Sequence, residues 1–255
     1  GRSRKPLSLL RAQLYTTQRL GIAFSEGSLP EGCDFSQSWS TPNHTGDANL
    51  RNVIWIAENH YLSLKNVEPQ TSIFFEKADD NEFLQLLLSK KAILVEGATE
   101  YLLLPKFYEK KTGRTVENDG ISIISCNGIS YKRYLEIAEE TGKRIAIITD
   151  NDHEQTKIDD ANEFNQHNEK QHVFMGATME DWTWEACIYN CNKEKLHNMI
   201  QVQDGAEYLF HRTNYGQVLG KMLNNKVDTA YQMLISEEDF VIPRYVEEAI
   251  EWLNE

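Results

Sequence analysis

The pattern of apolar and polar positions along the chain changes near Lys91. Beyond that residue, short and mainly apolar runs alternate with longer amphipathic or polar stretches. The apolar runs are residues 92–95, 121–124, 145–148 and 172–175, and the stretches between them are residues 99–111, 131–141 and 159–170. Strands this continuously apolar are buried on both faces, which is typical of a parallel sheet covered by helices. The pattern therefore predicts an α/β fold in which each longer stretch crosses back over the sheet.

The N-terminal part of the chain is less regular. Residues 7–20 have a helix-like pattern, and residues 25–49 are rich in Gly, Ser, Pro, Asn and Thr, which predicts a long loop. Short strands are predicted for residues 52–57 and 71–75. Residues 79–82 then offer an N-cap for a helix that continues to Leu88.

Composition narrows the choice of partner and compartment. The 255 residues include 26 Lys and Arg against 39 Asp and Glu, so the net charge is −13 and a broad basic face for nucleic acid is not indicated. Any anionic substrate must therefore be neutralised locally, for example by divalent cations on carboxylates. The 4 cysteines contain no CxxC pair, which favours a reducing, cytoplasmic setting. No apolar run is long enough to cross a bilayer, so we expect no membrane partner.

Carboxylates follow three of the four predicted strands. Glu96 comes directly after the first strand, Asp150 and Asp152 come after the third, and the fourth leads to Glu180 and Asp181. The second strand runs into a turn at residues 127–128. Ligands of open parallel sheets collect at the carboxyl ends of the strands, so these side chains are the candidate site.

Several of these carboxylates are expected to face the same point. Glu100 lies four residues after Glu96, which brings both toward one edge, and Asp150 and Asp152 alternate on one face of an extended tail. Each acidic residue taken alone could instead cap a helix or lie on a solvated loop. Carboxylates that converge repel one another unless they are neutralised, and Mg²⁺ or Mn²⁺ prefers such oxygen ligands. The convergence favours a metal site.

The motifs at these positions resemble those of a known family. The segment LVEGATE at residues 94–100, followed later by ITDND at residues 148–152, resembles the Glu and DxD motifs of a Toprim (topoisomerase–primase) domain. The longer motif VEGATEYLLLP and the ending at residues 240–252 are similar to the Toprim region of OLD-family (overcoming lysogenization defect) nucleases. The similarity covers about residues 85–255.

This resemblance implies a fold class and a domain organisation. Residues 89–255 would form a Toprim domain, a Rossmann-like parallel sheet flanked by helices, with a helical C-terminal extension. Residues 1–88 would be the end of an upstream ATPase or a linker region. OLD-family proteins join their Toprim region to an ABC-type ATPase, but the chain contains no GxxxxGK[ST] phosphate loop and begins with Gly1 rather than Met. Either an ATPase lies upstream of Gly1, which the abrupt start favours, or this is a stand-alone Toprim protein. We expect ATP binding and homo-oligomerisation only if such an ATPase domain exists outside this chain.

The resemblance also implies roles for individual residues. One divalent ion would be held by Glu96, Glu100, Asp150 and Asp152. Glu180, in a segment similar to the T-L-E motif of the family, would help to hold a second ion, although Asp181 and Glu185 are near enough to compete. The late lysine of the family matches Lys226, with Lys221 as a nearby rival. The catalytic set would then be Glu96, Asp150, Asp152 and Lys226.

The implied activity is Mg²⁺- or Mn²⁺-dependent endonucleolytic cleavage of DNA by a two-metal mechanism. Such ions activate water and stabilise the leaving oxygen, while a lysine neutralises the charge that develops on the phosphate. OLD-family proteins serve in phage defence and DNA repair. Alternatives are primer synthesis, RNA cleavage or topoisomerase chemistry, and a non-catalytic nucleic-acid-binding or assembly module. Trp182, Trp184 and Tyr189 could stack on unpaired bases, although aromatic residues near a strand end more often belong to the core.

Overall fold

The computed structural model describes residues 10–12, 20–24, 53–57, 60–77, 81–126 and 131–255. The predicted loop at residues 25–49 and the turn at residues 127–128 lie outside these ranges. The chain divides into two compact units, one made of residues 1–89 and 132–143, the other of residues 90–131 and 144–255.

The described elements are named here in chain order. The strands are β1 (Leu10–Ala12), β2 (Leu20–Phe24), β3 (Val53–Ala57), β4 (His60–Ser63), β5 (Lys91–Val95), β6 (Ile121–Ser125), β7 (Arg144–Ile148), β8 (Gln171–Phe174), β9 (Leu209–Phe210) and β10 (Thr213–Asn214). The helices are α1 (Pro69–Lys77), α2 (Asn81–Leu88), α3 (Ala98–Thr112), α4 (Lys132–Thr141), α5 (Gln155–His167), α6 (Trp184–Cys191), α7 (Lys193–Met199), α8 (Gln217–Asn224), α9 (Lys226–Ile235) and α10 (Arg244–Asn254).

The first unit contains an antiparallel sheet in the order β1-β2-β3-β4. The predicted strand at residues 52–57 and the predicted helix ending at Leu88 are both present, as β3 and α2. Beside them, Phe75 of α1 stacks on Phe83 of α2 at 4.7 Å and meets Tyr134 of α4 edge-on at 5.2 Å. These three rings form the centre of this unit's described core.

Two predictions for the first unit are wrong. The described residues of the predicted helix 7–20 form strands, because Leu10 pairs with Ile22 in an antiparallel ladder that local propensity does not reveal. The predicted strand 71–75 is part of helix α1. Pro69 is the first residue of that helix, where its missing N–H costs nothing, and this signal outweighs the apolar run that follows.

The second unit contains the predicted parallel sheet, in the order β6-β5-β7-β8. The register aligns Val95 of β5 with Ile148 of β7 and with Ser125 of β6, so the carboxyl ends of these three strands are level. The chain leaves β5 toward β6 and then returns to the other side of β5 as β7. The topological switch point therefore lies between β5 and β7, which is where ligands of doubly wound sheets bind.

Helices bury both central strands of this sheet. In β5 and β7 every residue after the first is buried, as the continuous apolar runs predict. Helix α10 packs on β7 and β8 through Val246, Ala249 and Ile250, and α9 packs on α3. The predicted α/β sheet and the helical C-terminal segment are confirmed. Among the described residues, no helix combines the length and apolar character required to cross a membrane.

Candidate active site

The ends of β5 and β7 are joined by hydrogen bonds at the switch point. Glu96 follows β5, and its Oε1 accepts a hydrogen bond from the Thr149 hydroxyl and another, 3.2 Å long, from the backbone N–H of Asp150. Both donors follow β7 directly. The sheet thus places the first two predicted site residues, Glu96 and Asp150, beside each other.

The Asp150 carboxylate caps helix α6. Its Oδ1 accepts a 2.8 Å hydrogen bond from the backbone N–H of Trp184, the first residue of α6, and its Oδ2 lies 2.6 Å from the Thr183 hydroxyl. The first N–H groups of a helix lack partners within the helix, and the N-terminus favours negative charge. Helix α6 and strand β7 are therefore fixed to each other through this carboxylate.

Thr183 connects Asp150 to a second carboxylate. The Thr183 Oγ1 lies 2.6 Å from Asp150 Oδ2 and 3.0 Å from Glu185 Oε2. A hydroxyl carries one hydrogen and can donate it to only one of two acceptors. The Thr183 hydroxyl therefore links the two carboxyl groups directly.

Glu185 is the more deeply buried of the two carboxylates and is 3% exposed. Its Oε2 accepts a 2.9 Å ion-pair contact from the ammonium group of Lys226, which comes from the first turn of α9. Its Oε1 is buried and has no hydrogen-bond partner among the residues that the structure describes. A buried carboxylate oxygen without a partner is rare and points to a missing ligand at that position.

Burial and mutual repulsion shift the titration of the group. The pKa of Asp150 is raised to about 7, chiefly by burial and further by the charges of Glu96, Glu100 and Glu185. The pKa of Glu100, whose Oε2 accepts a 2.8 Å hydrogen bond from the Thr99 hydroxyl, is raised by burial as well. Burial opposes the charge of Lys226, but the neighbouring carboxylates outweigh it and raise the pKa of this lysine.

Asp152 lies on a strained turn beside this group. Asp152 and His153 have φ angles of 53° and 63°, and Glu154 N–H donates 2.8 Å to the Asn151 carbonyl, which describes a turn with two left-handed residues. Residues other than glycine are strained at such backbone angles, and strain of this kind clusters at functional sites. The Asp152 carboxylate is exposed and forms a 2.5 Å ion pair with Lys157, so it lies outside the buried group.

Asn151, between the two aspartates, holds the loop that follows β8. It is fully buried, and its amide nitrogen lies within 3.1 Å of the carbonyl oxygens of Gly176, Thr178 and Asp181. A Cβ at Gly176 would lie 2.0 Å from the Asp181 carbonyl, so only glycine allows this close approach. Sequence reasoning did not identify Asn151. Its position inside the DxD motif is the one signal that could have done so.

The structure separates the three candidates for the last carboxylate. Glu180 is exposed, and the oxygens of Asp181 accept hydrogen bonds of 2.9 Å from Thr178 and from Asn190. Glu185 shares Thr183 with Asp150. The spacing of Thr183 and Glu185 is that of a T-x-E motif, a signal that sequence reasoning overlooked in favour of the preceding Thr and Glu.

The two candidate lysines also differ. Lys226 pairs with Glu185, whereas the ammonium group of Lys221 donates to the carbonyl of Gln201 and its charge lies within 6.0 Å of the Tyr208 ring. The structure therefore brings Lys226, together with Glu96, Glu100, Asp150 and Glu185, to the carboxyl end of β5 and β7. Asp152 lies at the exposed edge of this group, which we call the rim. Among the described residues, Glu180 has no contact with the group.

Within the described part of the chain, no three His, Cys, Asp or Glu side chains already adopt the arrangement of a metal site. The threonine hydroxyls and Lys226 occupy the positions around the carboxylates, as the hydrogen bonds above show. The donor set nevertheless fits a hard divalent cation, because it consists of carboxylate oxygens and includes the unpartnered Oε1 of Glu185.

Comparison with known families assigns the segment that carries the first motifs. Residues 87–152 match the family model described as the overcoming lysogenization defect protein-like TOPRIM domain. This segment is an OLD-like Toprim domain. The match includes Glu96, Glu100, Asp150 and Asp152 and ends there, so Glu185 and Lys226 are placed beside the Toprim carboxylates by the structure alone.

Solved structures of OLD proteins share similarity with the chain. The C-terminal region of the Xanthomonas campestris pv. campestris OLD protein is 18% identical, with 66% of this chain and 94% of that chain covered and a TM-score of 0.45. The C-terminal region of the Burkholderia pseudomallei OLD protein is 14% identical, with 65% and 97% covered and a TM-score of 0.46. No curated protein matches the chain.

The raised pKa of Asp150 predicts how Asp150→Asn changes stability. Because the folded-state pKa is about 7 against an ordinary 3.8, the folded protein keeps a proton that the unfolded chain releases. The stability that this bound proton provides is fully present below pH 4 and is lost as the pH rises through 7. The amide of the Asp150→Asn variant cannot ionise. Its free energy of unfolding relative to that of wild type should therefore rise by about 1–3 kcal/mol between pH 5 and pH 8.

Urea unfolding in EDTA at the two pH values measures this difference. Asp204→Asn is the matched control, because Asp204 is exposed on a loop and its replacement should have the same effect at both values. An Asp150→Asn effect that is equal at pH 5 and pH 8 would contradict the proposed protonation of the buried group.

Proposed function

We propose that the chain is a divalent-metal-dependent DNA endonuclease, which cleaves phosphodiester bonds with two ions at the carboxyl end of β5 and β7. The observation that carries the proposal is the gathering of half-buried Asp150 with buried Glu100 and Glu185, where one Glu185 oxygen has no partner among the described residues. Three neighbouring carboxylates are costly to bury for structure alone, because each opposes ionisation of the others. The OLD-like Toprim match of residues 87–152 supports the same assignment.

The cations would be held by carboxylates from three elements. Glu96 and Asp150 come from the sheet, Glu100 from the first turn of α3, and Glu185 from the first turn of α6. We assign the role predicted for Glu180 to Glu185, because only Glu185 shares a hydrogen-bonding partner with Asp150. Asp152 would join from the rim once its contact with Lys157 opens. The ions would supply the positive charge that activates water and stabilises the leaving oxygen.

The protein's own residues then orient and neutralise the reacting phosphate. Lys226 holds its charge in a half-buried position, where a cation acts more strongly than in water. It can therefore stabilise negative charge on a phosphate that reaches Glu185. With a pKa of about 7, Asp150 can hold or release a proton near neutral pH when cations or substrate arrive. Asn151 and Thr183 fix the loop and the helix that present these groups.

The cellular setting belongs to the same proposal. DNA is the substrate, and an ATPase domain outside this chain, with homo-oligomerisation through it, would present that DNA. The described Cys187 and Cys191 are free thiols, which supports a reducing cytoplasmic compartment. A role in antiviral defence or DNA repair follows from the OLD-like resemblance.

Loss of the aspartates should abolish cleavage. We expect the wild-type chain to nick supercoiled plasmid with Mg²⁺ or Mn²⁺ but not with EDTA, and Asp150→Ala with Asp152→Ala to lower the rate at least about 100-fold, because the cations lose two ligands. Gel analysis of supercoiled and nicked plasmid measures the rates. Glu237→Ala with Glu238→Ala, two exposed residues beyond α9, is the control and should cleave like wild type. Cleavage in EDTA, or equal rates in both double variants, would refute the metal-dependent site.

The two lysines provide a second, matched comparison. Lys226→Met should lower the plasmid-nicking rate about 100-fold, since it removes the charge beside the buried carboxylates. Lys221→Met should leave the rate within about 3-fold of wild type, because the Lys221 ammonium group contacts the Gln201 carbonyl and the Tyr208 ring rather than the carboxylates. Thermal unfolding of both variants identifies any loss that is due to unfolding. An active, folded Lys226→Met protein would remove this lysine from the mechanism.

A further inference from the structure

A cluster of aromatic side chains borders the carboxylates. We call His153, Trp182, Phe210 and Tyr215 the aromatic cluster. The His153 ring stacks on Trp182 with centroids 4.5 Å apart and planes at 22°, while Tyr215 and Phe210 approach Trp182 at 5.3 Å and 6.1 Å. Because one face of the His153 ring lies on Trp182 and the residue is exposed, the opposite face is open to a ligand.

The aromatic cluster is attached directly to the active site. Asp152 N–H donates a 3.0 Å hydrogen bond to the Trp182 carbonyl, and Trp182 immediately precedes Thr183, whose hydroxyl contacts Asp150. His153 follows Asp152 and is held by contacts of its backbone N–H with Asn151 and of its ring with the Met179 carbonyl, both 3.0 Å long. A group stacked on His153 would therefore lie next to the rim carboxylate.

A short hairpin joined to the aromatic cluster carries an exposed cation. Strands β9 and β10 pair through Phe210 and Thr213, and the two residues between them, His211 and Arg212, have φ angles of 47° and 68°. Two left-handed residues make the tight turn that matches the twist of a hairpin. Both turn residues are exposed, and Arg212 forms no ion pair with any residue that the structure describes. Phe210, at the base of the turn, connects the hairpin to Trp182.

An exposed, unneutralised arginine is notable in a chain of net charge −13. Such a cation attracts an anionic ligand to one point of an otherwise repulsive surface. The exposed ring of His153, in the aromatic cluster that the hairpin joins through Phe210, fits a base, since every base has a π-face, but only an unstacked base can use it. Of the other two aromatic candidates, Trp184 is buried, and Tyr189 is half-buried and contacts both His197 and the Lys193 ammonium group, so neither offers such a face.

We propose that the aromatic cluster and Arg212 bind an unpaired DNA strand, with a base stacked on His153 and a phosphate at Arg212. The proposal rests on the DNA nuclease function above and specifies its substrate as DNA with a single-stranded or frayed region. The stacked base would hold the strand so that a neighbouring phosphodiester meets the carboxylates at the end of β5 and β7.

Fluorescence anisotropy with a short labelled single-stranded oligonucleotide, and with its duplex, tests this proposal. Ca²⁺ neutralises the carboxylates in place of Mg²⁺, so that binding is measured apart from cleavage. His153→Asn keeps a residue that tolerates a left-handed backbone but removes the ring. It should weaken single-strand binding at least about 5-fold and duplex binding less than about 2-fold, because stacking needs an unpaired base.

Arg212→Ala should weaken binding of the single strand about 3-fold or more at low salt. The slope of log affinity against log salt should also fall by about 0.7, the value for the loss of one phosphate contact with a single strand. His197→Asn and Arg244→Ala are matched controls, since His197 is also an exposed histidine packed on an aromatic ring and Arg244 is an exposed helix arginine. Both should bind like wild type.

Each outcome decides the proposal. Selective loss of single-strand binding in His153→Asn, with the reduced salt slope in Arg212→Ala, supports it even if the plasmid assay shows no cleavage. In that case the nuclease assignment alone would fail. Variants that bind like wild type, while the wild-type chain nicks plasmid, overturn the strand-binding proposal and leave the nuclease intact. A wild-type chain that binds neither oligonucleotide also overturns it.

Discussion

The repulsion among buried carboxylates around Thr183 is the constraint on which this site depends. Asp150 lies 2.6 Å and Glu185 3.0 Å from a single hydroxyl, and Glu100 adds a further charge that raises the pKa of Asp150. Charges this close cannot all ionise in a buried place without compensation. The protein compensates in part with Lys226 and with the N-terminus of α6, and one Glu185 oxygen is still without a partner. The remaining negative charge is what a divalent cation would neutralise.

The topology of the sheet explains why these side chains meet. The order β6-β5-β7-β8 places the switch point between β5 and β7, so Glu96 and Asp150 emerge at neighbouring strand ends. Helix α6 then adds Glu185, because Asp150 accepts a hydrogen bond from the first N–H of that helix. The site is thus built from rigid elements, while the aromatic cluster and Arg212 lie on the loops and the hairpin beside it. Such a division between rigid elements and loops would suit the proposed nuclease, whose substrate is a polymer.

The sequence was sufficient to predict the parallel sheet and the carboxylates that follow β5 and β7. The continuous apolar runs predict β5 to β8, and the residues after β5 and β7 carry the Toprim motifs that the family match confirms. The antiparallel ladder near Leu10 was not predictable, because long-range pairing creates it. The choice among Glu180, Asp181 and Glu185 stayed open in the sequence. Two Thr and Glu pairs with similar spacing lie within a few residues, and only the hydrogen bond from Thr183 to Asp150 distinguishes them.

Calorimetric titration of Mn²⁺ into the wild-type chain tests the central claim most directly, since it needs no DNA and no catalysis. Buffers with different ionisation enthalpies reveal the protons released. Our account predicts that Mn²⁺ binding near pH 6.5 releases a proton, because Asp150, with a pKa of about 7, must ionise to act as a ligand. Glu185→Gln should weaken binding at least about 10-fold, whereas Glu180→Gln should not. Absence of binding, or equal binding by both variants, would contradict the account.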